Sequence, residues 1–230
     1  MIDWKTIWNK RGGPDATLNL AGLVAADGFD EGAGRIAVEE WERYVDRVAD
    51  WLKLAPGDSV FDVGCGAGAF VFPYHEAGHV VGGIDYSDGL VAVAGRAMPG
   101  MDFSAREARD LALSPVYDVV VSNGAFHYFP DLAYAEDVVV KMLRKARKSV
   151  GILEVPNADL RDESEASRAA ALPPGEYEKK YRDLGHLYYS KRWLEEVGAR
   201  HGCRVQIFDQ QINGYGNNRF RFNAILHKLT

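Results

Sequence analysis

The sequence predicts a doubly wound α/β fold, and three observations carry that prediction. Short apolar strands alternate with amphipathic helical stretches, a cluster of glycines follows the first strong strand, and the chain closes on two strands joined by a loop. Parallel neighbours need right-handed crossovers, so the alternation specifies a mostly parallel sheet with helices on both faces. The closing strands, Cys203 to Phe208 and Arg219 to Leu226, are separated only by Asp209 to Asn218. That span is too short for a crossover helix, so they pair antiparallel.

Each element has its own signal. Val38, Trp41, Val45, Val48 and Leu52 recur at helical spacing and predict a helix over 37–53, ended by Pro56-Gly57-Asp58. Val60 to Val63 is the first strand, and Ala69 to Ala77 is helix-compatible, with Gly78 suited to the left-handed C-terminal position. His79 to Ile84 reads as a buried strand closed by Asp85. Ser87 or Asp88 caps a helix through Arg96, and strands follow near Met101 to Phe103 and over Tyr117 to Ser122. A helix over 134–145 leads to the strand Val150 to Val155, and a last helix runs near Ser190 to Arg200.

The chain has 230 residues, 47% of them apolar, and a net charge of −6. It is long enough for a full core, and no shift in composition divides it, so one domain is expected. The acidic balance argues against an extended phosphate-binding face and a nucleic-acid partner. The basic run Lys141 to Lys148 reads as a solvated helix end. No stretch approaches the roughly 18 apolar residues of a membrane span, and Cys65 and Cys203 lie far apart, so a soluble cytoplasmic protein with reduced thiols is expected.

Residues Val60 to Gly68 read V-F-D-V-G-C-G-A-G. Closely spaced glycines after a strand let backbone N–H groups approach a ligand with no Cβ in the way. The dinucleotide fingerprint needs its third glycine one place later than Gly68 and an apolar residue where Asp62 stands. The motif here is D-x-G-x-G-x-G, and it resembles the first motif of the class I S-adenosylmethionine (SAM) methyltransferases. The antiparallel tail agrees with that family's Rossmann-like, seven-stranded sheet.

The resemblance divides residues 1–230 into an N-terminal cap (1–36), a cofactor-binding core (37–155), a lid insertion (156–190) and a last helix with C-terminal hairpin (191–230). It implies SAM as methyl donor, with S-adenosylhomocysteine as product, and no metal. Gly64, Cys65, Gly66 and Gly68 would form the cofactor turn, with Asp62 toward the methionine ammonium. Asp85 would accept from both ribose hydroxyls, the alternative being a cap for the next helix. Tyr86 would pack on adenine. Arg106-Glu-Ala108 stands where the family has Gly-Asp-Ala, so Glu107 and the Ala108 amide would bond the adenine, with Asp110 as a rival acid. The family's common Pro-Gly-Gly turn before the fifth strand is replaced by Lys145-Ala-Arg-Lys-Ser149.

Ser122-Asn123 and the following Gly-Ala-Phe-His127 fill the position of the family's fourth motif, which borders both sulfonium and acceptor. The Asn-Pro-Pro-aromatic sequence of nucleobase and amide methylases is lacking, so a small-molecule acceptor methylated on oxygen or nitrogen is expected. His127 is the candidate base, with a structural wall residue as the alternative. The 156–190 segment is rich in charge and tyrosine and long for a connector, so it reads as a lid. Tyr177, Tyr181, His186 and Tyr189 there, with Tyr215 and Arg219 of the last hairpin, are candidate acceptor-binding residues. The N-terminal Trp4, Trp8 and the loop Asp27-Gly-Phe-Asp30 can close over the cofactor or simply pack.

His75-Glu-Ala-Gly-His79 matches the H-E-x-x-H zinc pattern, but Gly78 stops the helix before the second histidine, so no zinc site is expected. Two further functions compete with methyl transfer: SAM binding without catalysis, and a nicotinamide-dependent oxidoreductase.

Overall fold

The computed structural model describes residues 4–13, 15–181 and 184–229. Helices α1 (Trp4–Asn9), α2 (Leu20–Ala26) and α3 (Val38–Leu52) precede the sheet. The alternating part runs β1 (Val60–Val63), α4 (Phe72–Glu76), β2 (Val81–Asp85), α5 (Asp88–Ala97), β3 (Asp102–Ala105), β4 (Tyr117–Asn123), α6 (Leu132–Lys145) and β5 (Ala146–Pro156). Helices α7 (Arg161–Ala170), α8 (Glu176–Tyr181) and α9 (Lys191–Arg200) lead to β6 (Cys203–Asp209) and β7 (Arg221–Lys228). The seven strands form one sheet in the order β3-β2-β1-β4-β5-β7-β6. β1 to β5 are parallel, and β7 runs antiparallel between β5 and β6.

Strand periodicity splits the core into two layers. Val60, Val119, Val121 and Ile225 pack with α3 and α5 on one face, while Phe61, Val63, Val120, Val150 and Ile152 pack with α6 and α9 on the other. Strand order reverses at β1, so the carboxyl ends of β1 and β4 open a crevice, the usual ligand position in such sheets. Helix α3 fastens that edge through its buried face. The Trp41 indole donates to the Ala69 carbonyl at 3.0 Å, and the Tyr44 hydroxyl to Asn123 Oδ1 at 2.8 Å.

Three local expectations are corrected. The helix after the glycines starts at Phe72 rather than Ala69, because the turn continues through Val71, with the Gly68 N–H bonded to the Cys65 carbonyl and the Phe72 N–H to that of Gly68. Strand β5 begins at Ala146 rather than Val150, so Lys145-Ala-Arg-Lys-Ser149 forms no turn. The basic run is only partly solvated: Lys145 is buried, its ammonium donating to the Ala112 and Pro115 carbonyls and lying over the Phe61 ring. Those bonds tie the end of α6 to the loop before β4 and allow the chain to enter β5 directly. The stretch read as a lid contains α7 and α8. Among the described residues, no helix is long and apolar enough to cross a membrane.

Candidate active site

A cavity of ≈ 830 Å³ lies at the carboxyl ends of β1, β2, β4 and β5, within the range of small-molecule sites. Its walls combine the glycine turn, the α2–α3 loop, the β4–α6 loop, α7 and the final hairpin. Gly64, Gly66 and Gly68 all have positive φ, and a Cβ on Gly64 or Gly66 would fall on Ala125 or on the Asp27 carboxylate. Glycine is therefore required at both positions for the walls to close.

One end of the cavity gathers three carboxylates. Asp62 is 1% exposed, receives the Asn123 and Val63 N–H groups, and leaves Oδ1 buried with no partner among the described residues. Asp85, at the tip of β2, accepts from the Gly66 N–H at 3.1 Å and the Ser87 N–H at 2.8 Å. Ser87, rather than Asp85, caps α5. Asp27, just after α2, reaches across to accept from the Ala67 and Ala69 N–H groups at 2.6 and 3.1 Å. Desolvation raises all three acids. Asp27 is pushed up to about 7, and Asp62 is raised further by the facing Asp27 and Asp85 charges. Such a cluster favours a cationic ligand.

The opposite end is aromatic and basic. Strand β5 carries a register irregularity between Ile152 and Val155, where Glu154 adopts a φ of 58° and turns its side chain toward the cavity. Glu154 pairs with Arg221 of β7 at 2.8 Å and accepts from the Tyr215 hydroxyl. His127 lies beside His186, ring centroids 4.8 Å apart, and both are driven well below the usual imidazole range by burial and nearby guanidinium charge, His186 to about 3. Trp4 stacks on His186, packs on Tyr128 and donates to the Gly185 carbonyl at 3.4 Å, so α1 closes against the lid.

Asp62, Gly64, Cys65, Gly66, Asp85, Tyr86, Glu107, Ala108, Asn123, His127, Tyr181, His186 and Tyr215 all line the cavity. Glu107 does so while half exposed and paired with Lys5; its rival Asp110 does not. Five expected residues lie elsewhere. Gly68 has Met98 where a Cβ would be, so it serves helix packing. The Ser122 hydroxyl bonds the Val63 carbonyl and ties β4 to β1. Tyr189 is fully buried, with its hydroxyl on the Phe126 carbonyl. Tyr177 stacks behind Arg168, and Arg219 is exposed on Glu163. Beyond the expected residues, Tyr128, Glu154, Arg168 and Arg221 line the cavity, and Asp27 brings into its wall the loop read as able to close over the cofactor. A charge inside an otherwise apolar strand, as at Glu154 and Arg221, was the available signal.

No group of three or more potential metal ligands occurs among the described residues, and His79 is spent on the Asp58 carbonyl at 2.7 Å. Residues 60–150 match a family model described as a methyltransferase domain. That match runs from β1 into β5 and takes in the glycine turn, Asp62 and Asp85. The chain is 28% identical over 156 residues to trans-aconitate 2-methyltransferase of Mycobacterium tuberculosis, an alignment covering 65% of this chain and 58% of that protein. The chain thus spans less than two thirds of that curated relative. The fold superposes on magnesium protoporphyrin IX methyltransferase from Synechocystis PCC 6803 with a TM-score of 0.61 at 17% identity, covering 100% of this chain and 99% of that one. It also superposes on an amino pentose methyltransferase from Micromonospora echinaspora with a TM-score of 0.62 at 13% identity, covering 82% and 92%. These likenesses show a shared fold that reaches beyond residues 60–150 to the whole sheet.

Proposed function

We propose that the protein binds SAM at the acidic end of the cavity and directs its methyl group to an oxygen or nitrogen of a small-molecule acceptor at the aromatic end. The observation that carries this reading is the set of three carboxylates around the glycine turn, with Asp62 Oδ1 unpartnered among the described residues. SAM brings an ammonium and a sulfonium to such a site and supplies a methyl group activated by the positive sulfur. Asp62 and Asp27 would face the ammonium side, Asp85 the ribose hydroxyls, and Tyr86, Glu107 and Ala108 the adenine.

The nicotinamide alternative fares worse on the same geometry. A dinucleotide pyrophosphate is an anion that uses the free N–H groups of such a turn, and here Asp27 already occupies those of Ala67 and Ala69. Thermal-shift titration separates the two: S-adenosylhomocysteine should stabilise the protein and NAD(H) should not. The reverse would overturn the proposal. Asp85→Asn keeps the side-chain shape but removes a charged acceptor, so S-adenosylhomocysteine affinity should fall about 10- to 100-fold. Near-normal affinity would remove Asp85 from the ribose role.

We assign His127 to the cavity wall, since burial, His186, Arg221 and Arg168 all oppose its protonation. Accordingly, His127→Asn should cost less than the roughly 10²-fold that a general base supplies. The pH profile of turnover should show no step near the ordinary imidazole value.

A further inference from the structure

At the lid end of the cavity, one cation has no carboxylate answering it among the described residues. Arg168, on α7, directs Nη1 to His186 Nδ1 at 2.7 Å and Nη2 to the Tyr188 hydroxyl at 2.8 Å. Its plane lies near the Tyr177 and Tyr181 rings, 5.7 and 5.5 Å from their centroids. The acids of its own helix are engaged elsewhere, Glu163 with Arg219 and Glu165 with Arg161. Glu154, across the cavity, is held by Arg221 and Tyr215. The Asp27, Asp62 and Asp85 group belongs to the cofactor end.

The hydrogen-bond chemistry of this corner is fixed by the guanidinium. Arginine only donates, so His186 Nδ1 must accept, and the imidazole proton sits on Nε2. That N–H is buried without a partner among the described residues, and so is the N–H at Arg168 Nε. Two buried donors beside an unanswered positive charge, in a cavity wall, are an incomplete site. A carboxylate completes it, offering two oxygens, a negative charge and a planar shape matched to the guanidinium.

We propose that the methyl acceptor is a small carboxylic acid, bound through Arg168 and His186 and methylated on a carboxylate oxygen. This deepens the reading that the cavity binds SAM, and rests on it. A carboxylate is deprotonated at neutral pH and needs no base, which suits a cavity whose imidazoles are held neutral and whose Glu154 is already paired. An ammonium acceptor would be repelled by Arg168 and would need a proton removed first. The step balances without a co-reactant: the carboxylate oxygen forms the new O–CH₃ bond as the S–CH₃ bond breaks. The electron pair of the broken bond stays on sulfur, opposite charges cancel, and no proton is released. The products are a methyl ester and neutral S-adenosylhomocysteine.

The test uses the full chain saturated with S-adenosylhomocysteine and titrated with trans-aconitate, benzoate and octanoate, each against its primary amide and the matching amine. At least one acid should bind, and its amide and amine should not. Arg168→Gln should weaken that binding about 10- to 100-fold and Arg168→Lys less, with S-adenosylhomocysteine affinity unchanged in both. With SAM, the methylated product should release methanol in mild alkali, as esters do and ethers or N-methyl groups do not. A wild-type protein that fails to bind S-adenosylhomocysteine defeats the cofactor reading. One that binds it but takes none of the acids, takes them equally well as Arg168→Gln, or yields an alkali-stable product defeats the carboxylate proposal.

Discussion

Glutamine at position 154 should destabilise the protein by about 3–5 kcal/mol, the cost of leaving a buried charge without its partner. The Glu154 and Arg221 side chains are 4% and 7% exposed, and their ion pair bridges β5 and β7 at the cavity end of the sheet. Glu154→Gln preserves shape but leaves the Arg221 guanidinium to be held by neutral groups, with the Tyr215 hydroxyl also losing a charged acceptor. Chemical denaturation followed by circular dichroism measures the loss. The double variant Glu154→Gln, Arg221→Gln should recover much of it, since removing both charges removes the desolvation problem. A single-variant loss below about 1 kcal/mol, the scale of an exposed pair, would mean that water reaches this site.

The second large effect is a pH dependence centred on Asp27. Its carboxyl is raised to about 7 from 3.8, chiefly by desolvation, against the N–H groups of Ala67 and Ala69, with Asp85 pushing it further up and Arg11 opposing. The folded protein therefore holds a proton that the unfolded chain has released between those two values. The stabilisation from this group is complete below about 3.8 and is lost as pH rises through about 7. Asp62 and Asp85, also raised, act in the same direction. A cationic ligand at this end reverses the preference, so S-adenosylhomocysteine, which retains the ammonium, should release protons on binding and bind more tightly as pH rises from 5 to 8. Calorimetry in buffers of different ionisation enthalpy counts those protons. Asp27→Asn should flatten the affinity profile over that window; an unchanged slope would place the titration on another group.

The sheet was legible because its central strands β1, β2 and β4 are buried almost throughout and the helices α5, α6 and α9 carry side-chain caps. Ser87 before α5 and Ser190 before α9 accept from Leu90 and Trp193 as their sequences suggest. The cofactor end was legible for a related reason: its residues sit at strand tips, where a glycine or a lone acid breaks an apolar run. The acceptor end was not. Glu154 stands out as a charge in an apolar strand, but it is an irregularity in register that turns it toward the cavity, and periodicity alone does not reveal such a shift. Arg168 lies on a segment whose partners are distant in sequence, so only the folded chain brings it to the site. Tyrosines in the lid were visible as a group, yet composition could not separate Tyr181, in the cavity wall, from Tyr189, sealed against the Phe126 carbonyl.

The contact between Trp4 and Gly185 joins residues 181 positions apart, among the costliest loops this chain can close. Strand pairs such as β1 with β2 or β6 with β7 need far shorter closures and can form first. The sheet should thus gain its hydrogen-exchange protection before the pocket's roof exists, leaving an early species with a nearly finished scaffold and no enclosed site. Ligand added during refolding would then act on the final docking of α1 rather than on the formation of the sheet.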